Sequence, residues 1–232
     1  MTQLRDNNQQ ARFKDAPWFP KNQEAVFVGG AGGIGSWVTF FLTKMGFNAY
    51  LYDFDTIEEH NLGGQLFRQS DLGSPKVNAV AKMVEDFCSG NISYFNQAVT
   101  PESMKHHFCF SAFDNMKARR ILFNNWKSTW EGSYMPETLP IFIDGRLEME
   151  SFQIFCVTPA TAYQYEEFLF SDNMVDEAPC TMKQSSHTAA MIGSMMALFF
   201  TNHIANVYEG DNIREVPFYY EFVGPMNHTI TR

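Results

Sequence analysis

Gly30-Ala31-Gly32-Gly33-Ile34-Gly35 is the stretch whose residue types most directly imply chemistry, a GxGGxG loop that also satisfies GxGxxG. Glycines at that spacing allow tight backbone turns and bring peptide N–H groups against a phosphate, which then sits at the positive end of the following helix. The pattern alone is weak; its context gives it meaning. It follows the apolar, β-branched run AVFVG and opens a run of apolar and small residues. Asp53 comes about twenty residues later, where a carboxylate accepts hydrogen bonds from ribose hydroxyls. To this point NAD and ATP are served equally.

The elements that must position these residues are legible from periodicity. A short β-branched run at 25–29 reads as a central parallel strand buried on both faces, 34–45 as a helix, and 49–53 as a second strand ending in acid. Strand, glycine turn, helix and strand make a βαβ unit with a right-handed crossover. Pro75 suits the first turn of a helix running through 77–87. Further strands are expected at 92–97, 108–113 and 139–143, the last ending in Asp144, with a helix at 117–126. The segment 151–157 is expected to begin an antiparallel portion, followed by an acidic, aromatic crossover loop at about 160–182 without helical periodicity, a helix at 186–208 and a strand-like tail at 216–223. The fold class is therefore α/β: a Rossmann-like, doubly wound, mainly parallel sheet with an antiparallel C-terminal portion. Residues 1–23 read as a polar arm anchored by Trp18, and 24–232 as a single nucleotide-binding domain.

Three further motifs follow in order: Asp53-Phe54-Asp55-Thr56, then Asn61-Leu62-Gly63-Gly64-Gln65, then Asp71-Leu72-Gly73-Ser74-Pro75-Lys76. Asp114-Asn115 precedes a helical Arg119 or Arg120. This series resembles the ThiF/MoeB/HesA and ubiquitin-activating-enzyme superfamily, whose pattern is GxGGxG, DxDxVxxxNLxRQ and DxGxxK. The resemblance runs in register over roughly 26–126 and more loosely through 144–157 and the helix containing Gly193. It implies an ATP-dependent adenylyltransferase, in which a carboxylate attacks the α-phosphate and pyrophosphate leaves. On that resemblance Gly30, Gly32, Gly33, Gly35, Asp53, Asp55, Asn61, Gln65, Lys76 and Asp114 form the nucleotide site. Asp53 would hold the ribose and Lys76 the phosphates; Asn61 and Gln65 would line the phosphate side. Asp114 would hold Mg2+, a hard cation that prefers carboxylate oxygen. Taken singly, Lys76 is an ordinary residue of a first helical turn and Asp114 an ordinary helix cap. One departure stands out: the arginine of NLxRQ is Gly64 here, and glycine cannot clamp a phosphate. Arg68 reaches back if its segment is helical. Arg12 is the other candidate, with Arg5 second, because relatives use an N-terminal arginine delivered across a dimer.

Cys180, in Ala178-Pro179-Cys180-Thr181, resembles the thioester or sulfur-transfer cysteine of such enzymes, and Lys183 and His187 nearby would favour its thiolate. The bland alternative is a thiol packed as a small hydrophobe. For Cys88, Cys109 and Cys156, which lie in apolar runs, that alternative is the reading adopted. His106-His107 reads as a surface pair. Ala189, Gly193 and Ala197, at helical spacing, suggest a tight helix contact and a subunit interface.

Composition narrows the partners. A net charge of -9 and a pI near 5.1 argue against nucleic acid or an anionic membrane, which need a basic face. The absence of a CxxC pair or Cys/His cluster argues against a structural zinc, and the absence of a secretory signal points to the cytoplasm. The apolar run 189–200 is shorter than the roughly 20 residues of a spanning helix. The reading that emerges is a minimal, homodimeric enzyme that adenylates the C-terminal carboxylate of a small ubiquitin-like or sulfur-carrier protein and passes it to Cys180. The alternatives are a noncatalytic scaffold of the same fold, which the Gly64 departure favours, and an NAD-dependent oxidoreductase, which explains the glycine loop and Asp53 but not the later motifs.

Overall fold

The computed structural model describes residues 8–21, 24–88, 90–132, 139–170, 185–211 and 213–232. Strands β1 (Ala25–Gly29), β2 (Asn48–Asp53), β3 (Ile92–Asn96), β4 (Phe108–Ser111), β5 (Ile141–Glu148), β6 (Ser151–Val157), β7 (Tyr219–Val223) and β8 (His228–Thr231) form one sheet in the order β3-β2-β1-β4-β5-β6-β7-β8. The first five pair in parallel and the last three antiparallel. The chain winds outward from β1 to β3, then crosses to β4 on the other side of β1. That reversal opens a crevice at the carboxyl ends of β1 and β4, where doubly wound folds take ligands.

Helices α1 (Gly33–Lys44), α2 (Lys76–Phe87) and α5 (Ser186–Glu209) cover one face, and α3 (Met116–Lys127) and the short α4 (Ala162–Glu166) the other. The two-residue period of β1 divides its side chains between two cores. Val26 and Val28 pack with Val38, Leu42, Ile192 and Met196, whereas Phe27 packs with Leu122, Phe123, Trp126 and Phe142. A strand buried on both faces has no polar side, which is why it reads as a continuous apolar run. Pro75 stands one position ahead of α2, its φ of -56 already suited to the turn. Asn115, not Asp114, caps α3: its side chain accepts the Ala118 N–H at 2.8 Å.

Several expectations are corrected. β5 does not end at Asp144 but runs on to Glu148, because the chain beyond Asp144 pairs antiparallel with β6. Residues 162–166 of the expected crossover loop are helical, with Tyr165 buried against the sheet. The stripe Ala189–Gly193–Ala197 packs within the chain: a Cβ on Gly193 would lie 2.9 Å from the Trp37 Cβ and 3.1 Å from the Val38 nitrogen. That face of α5 is used up by α1 and offers nothing to a second copy. α5 is, at 24 residues, long and apolar enough by composition to cross a membrane, but 67% of its most apolar stretch is buried, with Ile192, Met196, Phe200 and Ile204 in the core. His106 and His107 are not surface groups; they are half-buried at the start of β4, with the His106 ring 5.9 Å from Tyr50 and the His107 carbonyl accepting from Trp126.

Two outcomes follow from this packing. Gly193→Val forces a branched side chain between α1 and α5, and overpacking of this kind is expected to cost about 1–3 kcal/mol in urea unfolding. Burial, followed by the proximity of His107, holds His106 down at about 4, against an ordinary 6.5. The unfolded chain therefore binds more protons in that interval, and stability is full above pH 6.5 and falls as pH drops towards 4. His106→Gln is expected to reduce this acid loss by at most about 3 kcal/mol, read from urea midpoints across the interval.

Candidate functional site

The site is built at the carboxyl ends of β1, β2 and β4. Tyr52, Gly29, Ser111 and Asp144 stand in one row across the sheet, so the residues that follow them leave the sheet at the same level. Gly30 turns β1 out with a φ of +95, and a Cβ there would lie 2.7 Å from the Ala112 carbonyl. Only glycine suits both demands. Gly35 is equally constrained, since its Cβ would fall 1.8 Å from the Gly30 carbonyl. Gly32 precedes α1 with no side chain satisfying the first-turn N–H groups. The N–H groups at the start of a helix carry its positive end and favour an anion.

Asp53 holds the loop in place. Its carboxylate accepts the Ala31 N–H at 2.6 Å on one oxygen and the Asp55 N–H at 2.7 Å on the other. Burial pushes this carboxyl up, and the two N–H donors and the nearby Lys76 offset that only in part. Asp55 in turn accepts from the Lys76 ammonium at 2.7 Å, while its carbonyl accepts the Lys76 N–H. A two-way main-chain pairing between Ile57 and residues 73–74 fixes the start of α2 beside this turn. Lys76 is thus brought to the glycine loop, buried along its stem and paired at its tip.

The remaining candidates separate. Gln65 lies over the loop, its Oε1 buried without a partner among the described residues and 4.0 Å from the place of a Cβ on Gly32. Asn61 is buried, with its Oδ1 accepting the Glu58 N–H as a local cap. The Leu66 N–H donates to Ser36, tying this segment to the first turn of α1. Gly64, where the resemblance has arginine, is buried. Asp114 is exposed at the end of β4, with one oxygen accepting from the Asn115 side chain. Among the described residues no three His, Cys, Asp or Glu side chains converge as metal ligands.

Arg68 is not brought to the site. Its segment is extended rather than helical, and its guanidinium pairs with Asp86 at 2.7 Å. Asp86 is ten residues beyond Lys76 on α2, about 15 Å along the axis. Arg68 there lines an apolar groove of about 250 Å³ with Trp37, Phe40, Phe67, Met83 and Phe87. Arg12 belongs to an arm at the opposite, amino-terminal edge of the central strands, the end where β1 and β2 begin. Its arm packs Gln10 on Gly46, ahead of β2, and Lys21 over Tyr208, whose hydroxyl donates to Glu24 ahead of β1. A full strand, about 16 Å, separates that edge from the glycine loop. Cys180 and Arg5 lie outside the described residues. Cys88, Cys109 and Cys156 are buried free thiols, with burial pushing each up and Cys109 and Cys156 well up, as their apolar contexts imply.

The reading from periodicity missed a buried polar cluster behind Asp114. Asp144 is fully buried and pairs with Arg119 on α3, with Arg146 at 2.8 Å and with the Tyr165 hydroxyl at 2.9 Å. Burial, then the Asp144 charge, pushes the tyrosine hydroxyl well up. A signal existed: Asp144 and Arg146 are two apart, so they share one face once the strand is extended past residue 143.

Asp53→Asn keeps one acceptor oxygen but sets an amide N–H2 against a main-chain N–H. The expected loss is about 1–3 kcal/mol of stability without ligand, measured by urea unfolding.

Comparison with known proteins agrees with this fold. The ThiF family model matches residues 21–229. No curated protein sequence gives a match. Among solved structures, PaaA superposes with a TM-score of 0.67 at 15% identity, covering 97% of this chain and 65% of that one. E. coli MccB with ATP gives 0.67 at 14% identity, with the same 97% and 65% coverage. E. coli tRNA N6-threonylcarbamoyladenosine dehydratase, TcdA, gives 0.64 at 15% identity, covering 88% of this chain and 95% of that one. The chain therefore spans slightly under two thirds of PaaA and of MccB, and nearly the whole of TcdA. At these identities the likeness is one of fold.

Proposed function

The chain belongs to the ThiF family, and from that premise we propose that it binds ATP at the glycine loop and adenylates a carboxylate on a partner polypeptide. The observation that carries the reading is Lys76, held by Asp55 at the turn that Asp53 ties to the glycine loop. A dinucleotide site accounts for the loop and Asp53; a buried lysine beside them is what a triphosphate needs. In this reading the N–H groups of Gly32–Gly35 and the Lys76 ammonium hold the phosphates, and Asp53 accepts from the ribose hydroxyls through its free lone pairs. Asn61 and Gln65 border the phosphates, where the Gln65 side-chain N–H2 would donate to a phosphate oxygen. A bound magnesium ion would neutralise phosphate charge, and Asp114 is the carboxylate that would hold it. A single carboxylate fits, because magnesium commonly keeps waters and substrate phosphates as its other ligands. The incoming carboxylate oxygen bonds to the α-phosphorus as the bond to pyrophosphate breaks, giving an acyl-adenylate.

MccB has been solved with ATP, and also with AMPCPP and MccA, which supports a small polypeptide as the partner here. A ubiquitin-like or sulfur-carrier protein with a C-terminal carboxylate is the acceptor we propose, with the Cys180 thiol displacing AMP from the acyl-adenylate to form a thioester, or relaying sulfane sulfur received from a persulfide-bearing donor protein. TcdA is named for a tRNA reaction, but a net charge of -9 disfavours that substrate class for this chain. Arg12 would contribute only from a second copy, since its own arm lies at the amino-terminal edge of the central strands. A homodimer is therefore part of the proposal, and cytoplasmic location accompanies its free thiols.

A second reading, nucleotide binding without turnover, is favoured by Gly64: the position that would carry the phosphate-clamping arginine is a buried glycine. Calorimetry with Mg-ATP and with NAD separates the readings. Mg-ATP is expected to bind and NAD to give no heat, with Asp53→Ala and Lys76→Ala each weakening Mg-ATP at least tenfold, on the order of one charge-assisted hydrogen bond. Binding of NAD alone would restore the oxidoreductase. Binding of Mg-ATP without pyrophosphate release in the presence of carrier proteins would favour the scaffold.

A further inference from the structure

The nucleotide reading leaves unused the cluster around Asp144. One carboxylate faces two guanidinium groups and a hydroxyl in a fully buried position. Burying ions this way is weak support for stability, since desolvation offsets the attraction. What distinguishes the cluster is where its remaining donors go. Arg119 donates to the carbonyl of Phe113, the residue before Asp114, and to that of Gly145 at 3.0 Å. Arg146 donates to the carbonyl of Phe168 at 3.2 Å, its guanidinium 4.6 Å from the Phe155 ring centre. Arg120, next along α3, donates to the Leu169 carbonyl, and Lys127 pairs with Glu166 at 2.8 Å. Two separate segments, 113–114 and 166–169, are therefore held by one set of side chains.

We propose that Asp144 and Tyr165 fix Arg119 as a positioning residue, which aims the Asp114 carboxylate through the Phe113 carbonyl and couples it to the segment leaving α4. The aim of Asp114 matters only if the adenylation reading holds; the mechanical link stands apart from it. A planar five-donor fork is what such a clamp requires, and lysine cannot reproduce it.

Hydrogen exchange on the ligand-free protein tests the link directly. Tyr165→Phe keeps the ring and removes one bond to Asp144; Arg119→Lys keeps the charge and loses the fork. In both, the amides of Ala112 and Ala118, bonded to Gly29 and Asn115, and those of Phe168 and Leu169, bonded to Tyr165 and Glu166, are expected to exchange faster together. The expected acceleration is about tenfold, with β1 and the middle of α5 unchanged. Loosening of 168–169 alone, or no change at 112 and 118, overturns the link. A second readout concerns the aim: Arg119→Lys is expected to weaken Mg-ATP about tenfold while metal-free ATP stays within about twofold. Equal weakening of both would make Arg119 merely structural and overturn the positioning role. If the wild type binds no Mg-ATP, the adenylation reading fails, while the exchange result still decides the link.

Discussion

The Asp53 carboxylate is the junction on which the whole carboxyl edge depends. Its two oxygens accept main-chain N–H groups from opposite directions, Ala31 in the glycine loop and Asp55 in the turn after β2. A loop so rich in glycine loses more conformational entropy on folding than any other sequence. A charge-assisted hydrogen bond is worth about 1.5–3 kcal/mol, enough to matter against that cost. Because Asp55 then holds Lys76, one carboxylate at the end of one strand sets the glycine loop, the turn after β2 and the start of α2 in a common frame.

That frame is possible because the sheet beneath it is packed on both faces. β1 and β4 are buried on both faces, so their exits are fixed by packing on two cores. The two exits pass so closely at Gly30 and Ala112 that no side chain fits between them. Charge behaves differently at this scale than over the molecule. The chain is acidic as a whole, yet beside the glycine loop Asp53 accepts two main-chain N–H groups and Lys76 is buried and paired. In the proposed reading, local dipoles and one cation would determine what binds there, and net charge which large partners approach. In the proposed nucleotide reading, the buried glycine at position 64 leaves one cation fewer than the ThiF pattern implies, which puts more weight on Lys76 and on the placement of Asp114.

The βαβ unit, the glycine loop, the acid ending β2 and the helix opened by Pro75 were all legible in the residues, as was the antiparallel portion at the C-terminal end. Each depends on local rules: alternation along a strand, the fixed φ of proline, the permissiveness of glycine, the spacing of apolar residues on a helix. The extension of β5 was not legible, because a polar pair at Asp144 and Arg146 resembles the end of a strand until its buried partners from α3 and α4 are known. Nor was the burial of His106, which depends on the neighbouring strand bringing Tyr50 against it.

By itself, then, the sequence determined the fold class and the short-range geometry of the nucleotide-like site, because those follow from backbone sterics and side-chain periodicity within about thirty residues. Only the tertiary structure decided where the long charged side chains point. Arg68 turns to Asp86 at the far end of α2, Arg12 belongs to the arm at the amino-terminal edge of the central strands, and Arg119 is drawn inward to Asp144. An arginine has several rotatable bonds and reaches several ångströms, so its partner is whichever acceptor the fold brings within range. Gly193 makes the same point for packing: its spacing announced a close helix contact, but only the assembled chain showed that the contact is α1.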